Sequence, residues 1–150
     1  MSKVFKSNSE KDTAYIAEQF ADIAKSGDIF ALNGTLGAGK SVFARAFIQK
    51  LTPVKEAPSP TFTLVQMYPT PKFDIYHYDL YRLKSPAELF ELNVDEAFYA
   101  GVCLIEWPEK MGPLTPRNIW QVDFEVNGNE RTITVSVDDE EKLQRLEHVG

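Results

Sequence analysis

The chain has 150 residues, 43% hydrophobic and 12% aromatic, enough to close one core and short for two. A net charge of −6 argues against stand-alone binding to nucleic acid, where basic surface supplies most of the affinity, but leaves open a role through a partner protein. No segment has the apolar length of a signal peptide or a membrane span, so the expectation is a cytoplasmic protein with no membrane partner.

In chain order, a short strand is expected over 3–6. A helix follows, with Ser9 as N-cap and Asp12 three positions on. Ile16, Ala17, Phe20, Ile23 and Ala24 form its apolar stripe, and Gly27 is the expected end. Residues 29–32 read as a buried strand, 34–41 as a glycine-rich loop, and 40–51 as a helix stopped before Pro53. A proline-rich loop covers 54–61. Strands at 63–68 and 73–80, joined by "PTPK", form a hairpin. Alternation in the second strand puts Phe73, Ile75, His77 and Asp79 on one face.

"SPAE" at 85–88 is a capping box with Pro86 at the first helical position, opening helical segments that run to about Tyr99 with a break near Asn93. "VCLIEW" at 102–107 is a buried strand stopped by Pro108. The lone Cys103 inside it cannot form an internal disulfide and reads as a reduced core thiol. Strands at 119–126 and 130–137 flank "NGN", and a charged helix closes the chain. With no repeat and no linker, this is one domain over 1–150, of α/β class with antiparallel additions.

"GTLGAGKS" at 34–41 fits G-x-x-x-x-G-K-[ST]. Glycines let backbone N–H groups converge on phosphate oxygens, and the helix that follows aims its positive end at the same anion. Lys40 would reach the β- and γ-phosphates, and the Ser41 hydroxyl would hold Mg²⁺. The competing explanation is an ordinary strand-to-helix turn with a lysine beside it.

Such a loop needs an acid at the end of a neighbouring strand. Glu106, after four apolar residues, is placed to supply it, unless it is a plain charged strand end. Asp79 is a second candidate, or a cap on the next turn. His77 shares its face and reads as a core residue or a support for the site. Trp107, on the face opposite Glu106, belongs to the core or borders the ligand. Thr61 in "SPTF" is either a hydroxyl that senses γ-phosphate or metal, or part of a simple turn.

Together "GTLGAGKS", "SPTFTLV", "HYDLYRL", "ELNVDEAF" and "CLIEW" resemble the TsaE (YjeE) family over about residues 28–110. These are small bacterial ATPases that help install threonylcarbamoyladenosine on tRNA. The resemblance implies a P-loop fold with a mixed central sheet, ATP/ADP and Mg²⁺ as ligands, and a complex with the TsaD and TsaB proteins. tRNA would be met only through that complex, and the isolated chain would be a monomer. By motif, Gly37, Ala38, Gly39, Lys40, Ser41 and Val42 would line the phosphate site. Ser41 and Glu106 would organise Mg²⁺, and Asp79 would be required for hydrolysis. Thr61 would act as a switch and Trp107 would lie near the nucleotide. Outside the motifs, Glu10 and Arg131 are candidates for the base or ribose. Thr35 stands where the family usually has an acid, and "KSV" where it usually has "KTT".

Two rivals remain at this stage. A small-molecule kinase would need clamping arginines, and the chain has them only at 45, 82, 117, 131 and 145. A nucleotide-gated adaptor that barely hydrolyses ATP needs the same binding groups as an ATPase.

Overall fold

The computed structural model describes residues 1–150. The strands are β1 (Ser2–Ser7), β2 (Ile29–Asn33), β3 (Val65–Pro69), β4 (Asp74–Asp79), β5 (Val102–Glu106), β6 (Trp120–Asn127) and β7 (Glu130–Ser136). The helices are α1 (Glu10–Ile23), α2 (Lys40–Leu51), α3 (Val94–Ala100) and α4 (Glu140–Leu146), with 3-10 helices at Pro86–Glu91 and Pro108–Leu114.

All seven strands form one sheet in the order β1-β7-β6-β2-β5-β4-β3. The central strands β6, β2, β5 and β4 run parallel, while β7, β1 and β3 are antiparallel to the strands they adjoin. The mixed-sheet α/β fold expected from the sequence is therefore the one adopted. Parallel strands deliver their carboxyl ends to one edge, so Asn33, Asp79 and Glu106 end up together there.

The apolar runs of β2 and β5 are buried on both faces, as strands covered on two sides must be. On one side α1 and α2 pack an aromatic cluster. Phe20 meets Phe30 and Trp120 edge-on at 6.2 and 5.9 Å, and Phe30 stacks on Trp120 at 5.3 Å. Each fully buried ring contributes about 1.5–3 kcal/mol by transfer alone. On the other side Tyr76, Tyr78, Leu89, Val94 and Met111 pack a smaller core. The alternation in β4 holds: Ile75 joins the first cluster, Tyr76 and Tyr78 the second.

Ser9 caps α1, its Oγ accepting from the Asp12 N–H at 3.1 Å, and Asp12 Oδ2 accepts in return from the Asn8 N–H at 2.9 Å. The helix ends at Ile23 rather than at Gly27. Arg145 Nη1 donates to the Ile23 carbonyl at 2.9 Å, and Asp28 Oδ2 accepts the Lys25 N–H at 2.8 Å, drawing the chain into extended geometry at Ala24. Gly27 serves the following turn.

β3 starts at Val65 because Leu64 is left-handed (φ 69°), its carbonyl accepting the Asp79 N–H at 3.0 Å. The capping box at Ser85 is present, but the turn it opens is a 3-10 helix; Asn93 (φ 57°) then separates it from α3. β5 stops at Glu106 because Trp107 is left-handed (φ 58°), and the 3-10 helix at Pro108–Leu114 had no sequence expectation. Cys103 is fully buried and burial raises its thiol pKa, as a core cysteine requires.

Candidate functional site

The loop between β2 and α2 wraps the sheet's carboxyl edge. Gly37 (φ +82°) and Gly39 (φ +107°) hold left-handed backbone that L side chains rarely adopt, and a Cβ at Gly37 would project into open space. This loop forms one wall of a cleft of about 500 Å³, a size usual for small-molecule sites.

Most of the residues singled out from the sequence line this cleft: Gly37, Gly39, Lys40, Ser41 and Val42 from the loop and helix, and Asp79, Glu106 and Trp107 from the strand ends. Thr61, Glu10 and Arg131 complete the wall from elsewhere in the chain. Ala38 does not join them. Its methyl is buried in the aromatic core and its N–H donates to the Thr35 carbonyl at 3.1 Å. Arg131 donates from Nη2 to the Gly37 carbonyl at 3.5 Å, beside the loop, and Glu10 lies 3.8 Å from Arg45.

Lys40 is 4% exposed, yet makes no ion pair. Its amine donates to the Gly34 carbonyl at 2.7 Å and sits 3.7 Å from the Trp107 ring centroid. Burial lowers its pKa, and the more distant charges of Glu106, Glu109 and Asp79 offset this only in part. Trp107 reaches this position because the strand has ended: its left-handed backbone turns the indole under the amine instead of onto the opposite face.

Glu106 and Asp79 are register partners on adjacent strands. Glu106 Oε2 takes two bonds of 2.7 Å, from His77 Nε2 and from Ser59 Oγ. Oε1 accepts from Ser41 Oγ at 3.3 Å, and the two serine hydroxyls are 2.8 Å apart. Burial pushes the Glu106 pKa up, but hydrogen bonding to His77 and Ser59, with the charge of Lys40, outweighs it and keeps the carboxyl below its ordinary value. Thr61 Oγ1 donates to Asp79 Oδ2 at 3.2 Å and the Tyr81 N–H to Oδ1 at 3.1 Å.

Ser59 was missed as a site residue, because a serine in a proline-rich loop carries no periodic signal. Its neighbour Thr61 in "SPTF" was the nearest clue. Asn129, at the β6–β7 turn, also borders the cleft without a sequence cue.

A strand, a glycine loop and a helix on the parallel core of an α/β sheet, with acids on the next strand ends, define the P-loop class. The family described as threonylcarbamoyl adenosine biosynthesis protein TsaE matches residues 7–133. A tRNA threonylcarbamoyladenosine biosynthesis protein TsaE of Rickettsia prowazekii is 44% identical over 127 residues, 84% of this chain and 88% of its own. That of Bacillus subtilis is 37% identical over 126 residues, 83% and 78% of the two chains. The crystal structure of Bacillus subtilis YdiB superposes with a TM-score of 0.84 at 28% identity, over 99% of this chain and 94% of that one. The chain belongs to the TsaE family.

Proposed function

We propose that this chain is the ATP-binding and ATP-hydrolysing subunit required for threonylcarbamoyladenosine modification of tRNA at A37. It acts with TsaD and TsaB and supports turnover of their complex. The observation that carries this is the convergence of Lys40, Ser41, Glu106 and Asp79 on one cleft at the start of α2. Family membership and the names of the relatives support the tRNA pathway.

The residues present fit a magnesium nucleotide. Lys40 is a buried cation without a counter-ion, the state expected of a group whose partner is a ligand anion. Ser41 and Glu106 offer hard oxygens side by side. Mg²⁺ is usually held by one or two protein carboxylates plus phosphate and water, and Glu106 offers such a carboxylate beside Ser41. When bound, the magnesium nucleotide supplies the phosphoryl group and the charge neutralisation its transfer needs.

The chain's own residues do the rest. The loop N–H groups and the α2 N-terminus bind phosphate oxygens, and Lys40 moves from the Gly34 carbonyl to the anion. Trp107 holds the amine on the cleft side and excludes water. Asp79 orients the attacking water, and Thr61 fixes the rotamer of that carboxylate. Arg131 borders the cleft at the Gly37 carbonyl and no arginine bonds to Asp79 or Glu106, so intrinsic hydrolysis is weak. It rises when partners order residues 54–62 and 79–84 and supply transition-state charge.

Steady-state ATP hydrolysis with Mg²⁺, alone and with TsaD and TsaB, tests this. Low activity alone and a clear rise with partners is the expected result. Asp79→Ala should lower the stimulated rate by about 100-fold or more. Full stimulated turnover in that variant would remove Asp79 from the mechanism. Intact ATP binding with no hydrolysis in any mixture would make the protein a nucleotide-gated adaptor.

A further inference from the structure

Glu106 is held asymmetrically. Oε2 already takes two bonds of 2.7 Å, from His77 on β4 and from Ser59 on the loop after α2. Both donors are anchored: His77 is fully buried, and Ser59 is held at 2.8 Å from Ser41. An ionised carboxylate only accepts, so the imidazole presents its Nε2–H to Oε2. Its Nδ1 is buried with no partner, so Glu106 is the only hydrogen-bonding contact of that ring. Oε1 is held far more loosely, facing Ser41 Oγ at 3.3 Å.

We propose that His77 and Ser59 make the site selective for Mg²⁺ over Ca²⁺ by occupying Oε2 and leaving Glu106 a single oxygen for the cation. This rests on the nucleotide–magnesium reading above and extends it to two residues to which the family resemblance gives no role.

The physical reason lies in the different appetites of the two ions. Ca²⁺ takes six to eight oxygens in flexible geometry and readily accepts both oxygens of one carboxylate. Mg²⁺ is smaller, wants near-octahedral geometry, keeps several waters and is content with one carboxylate oxygen. To bind Glu106 through both oxygens, a cation must break two short bonds and strand a fully buried imidazole without its partner, leaving a desolvated polar group unpaired. One-oxygen binding leaves both bonds in place. His77 and Ser59 are positioning residues: neither has to touch the cation.

The measurement is the affinity of the full-length protein for a non-hydrolysable ATP analogue, titrated with Mg²⁺ and separately with Ca²⁺. It is made on the parent chain, Ser59→Ala, His77→Gln and His77→Leu, each checked for thermal unfolding. Outer hydrogen bonds of this kind are typically worth 10–100-fold in metal affinity. The ratio of apparent Mg²⁺ to Ca²⁺ affinity should therefore fall by about 10-fold in Ser59→Ala and further in His77→Leu. His77→Gln, whose amide N–H can replace Nε2–H, should recover most of the parent ratio. A merely structural role for His77 would lower stability and weaken both ions alike, leaving the ratio fixed.

Metal-dependent binding in the parent with an unchanged ratio in Ser59→Ala overturns the inference and leaves the functional reading standing. No metal-dependent binding in the parent overturns both. Ser59→Ala keeps the test decisive if His77→Leu fails to fold, because Ser59 is only half-buried and belongs to neither apolar core cluster.

Discussion

Two carboxylates in this molecule are equally buried, each 3% exposed, and lie at opposite ends of the parallel core. Asp28, just before β2, is closed by the chain itself. Arg145 on α4 donates to both its oxygens, at 2.6 and 2.9 Å, and the Lys25 N–H adds a third bond. Glu106, at the far end of β5, has no arginine or lysine in contact; the nearby Lys40 is bonded to a backbone carbonyl. One end balances its charges internally. The other keeps cation and anion apart inside one cleft, an arrangement that the proposed magnesium nucleotide, carrying both signs, would complete.

This contrast can be broken from either side. Arg145→Leu should cost about 3–5 kcal/mol of unfolding free energy, because it leaves Asp28 buried and unpaired, while nucleotide affinity stays as in the parent. Chemical denaturation paired with a binding titration reads both, and a stable variant would show that the two ends do not differ in kind. Lys40→Met should do the reverse. It removes a cation that burial disfavours, so the fold should be at least as stable, while nucleotide affinity drops by about 100-fold. Loss of stability in that variant would mean that the Gly34 and Trp107 contacts outweigh the cost of burial.

The smallest effect is in acid. The folded Glu106 carboxyl titrates below its ordinary value of 4.5, so its stabilising contribution is complete above 4.5 and is lost as pH falls through the lower folded value. Glu106→Gln should flatten that part of the stability curve. An unchanged acid limb would mean that the bonds from His77 and Ser59 do not favour the ionised form.

The features legible in the sequence were those whose cause is local. Ser9 caps through an atom three residues away, and the loop at 34–41 declares itself by glycines that must be left-handed. An apolar run ending in Glu106 marked a buried strand delivering an acid to the edge. What stayed hidden depends on contacts between distant residues. Gly27 looked like a helix stop, but Arg145 and Asp28 end α1 four residues earlier. The parallel pairing of β6 with β2 puts Trp120 beside Phe30, a choice made by the packed core and not by either strand alone. Ser59 lies 47 residues from the carboxylate it bonds, in no spacing that announces it, whereas His77, 29 residues away, is placed on the Asp79 face by alternation but left open between core and support for the site.

The sheet order also sets a timetable for biosynthesis. β1 pairs only with β7, Ser2 opposite Ser136, and β2 is flanked by β5 and β6. β1 therefore waits for β7, and the loop at 34–41 is made long before the strands that support it. A nascent chain can form α1 and α2 early, but it cannot close the cleft until β7 has emerged. Closing the sheet is consequently late and dominated by distant contacts, the kind that forms slowly and exposes unpaired strands meanwhile. A chain made only as far as β5 has the glycine loop but not the whole cleft wall, which takes Asn129 and Arg131 from the β6–β7 hairpin.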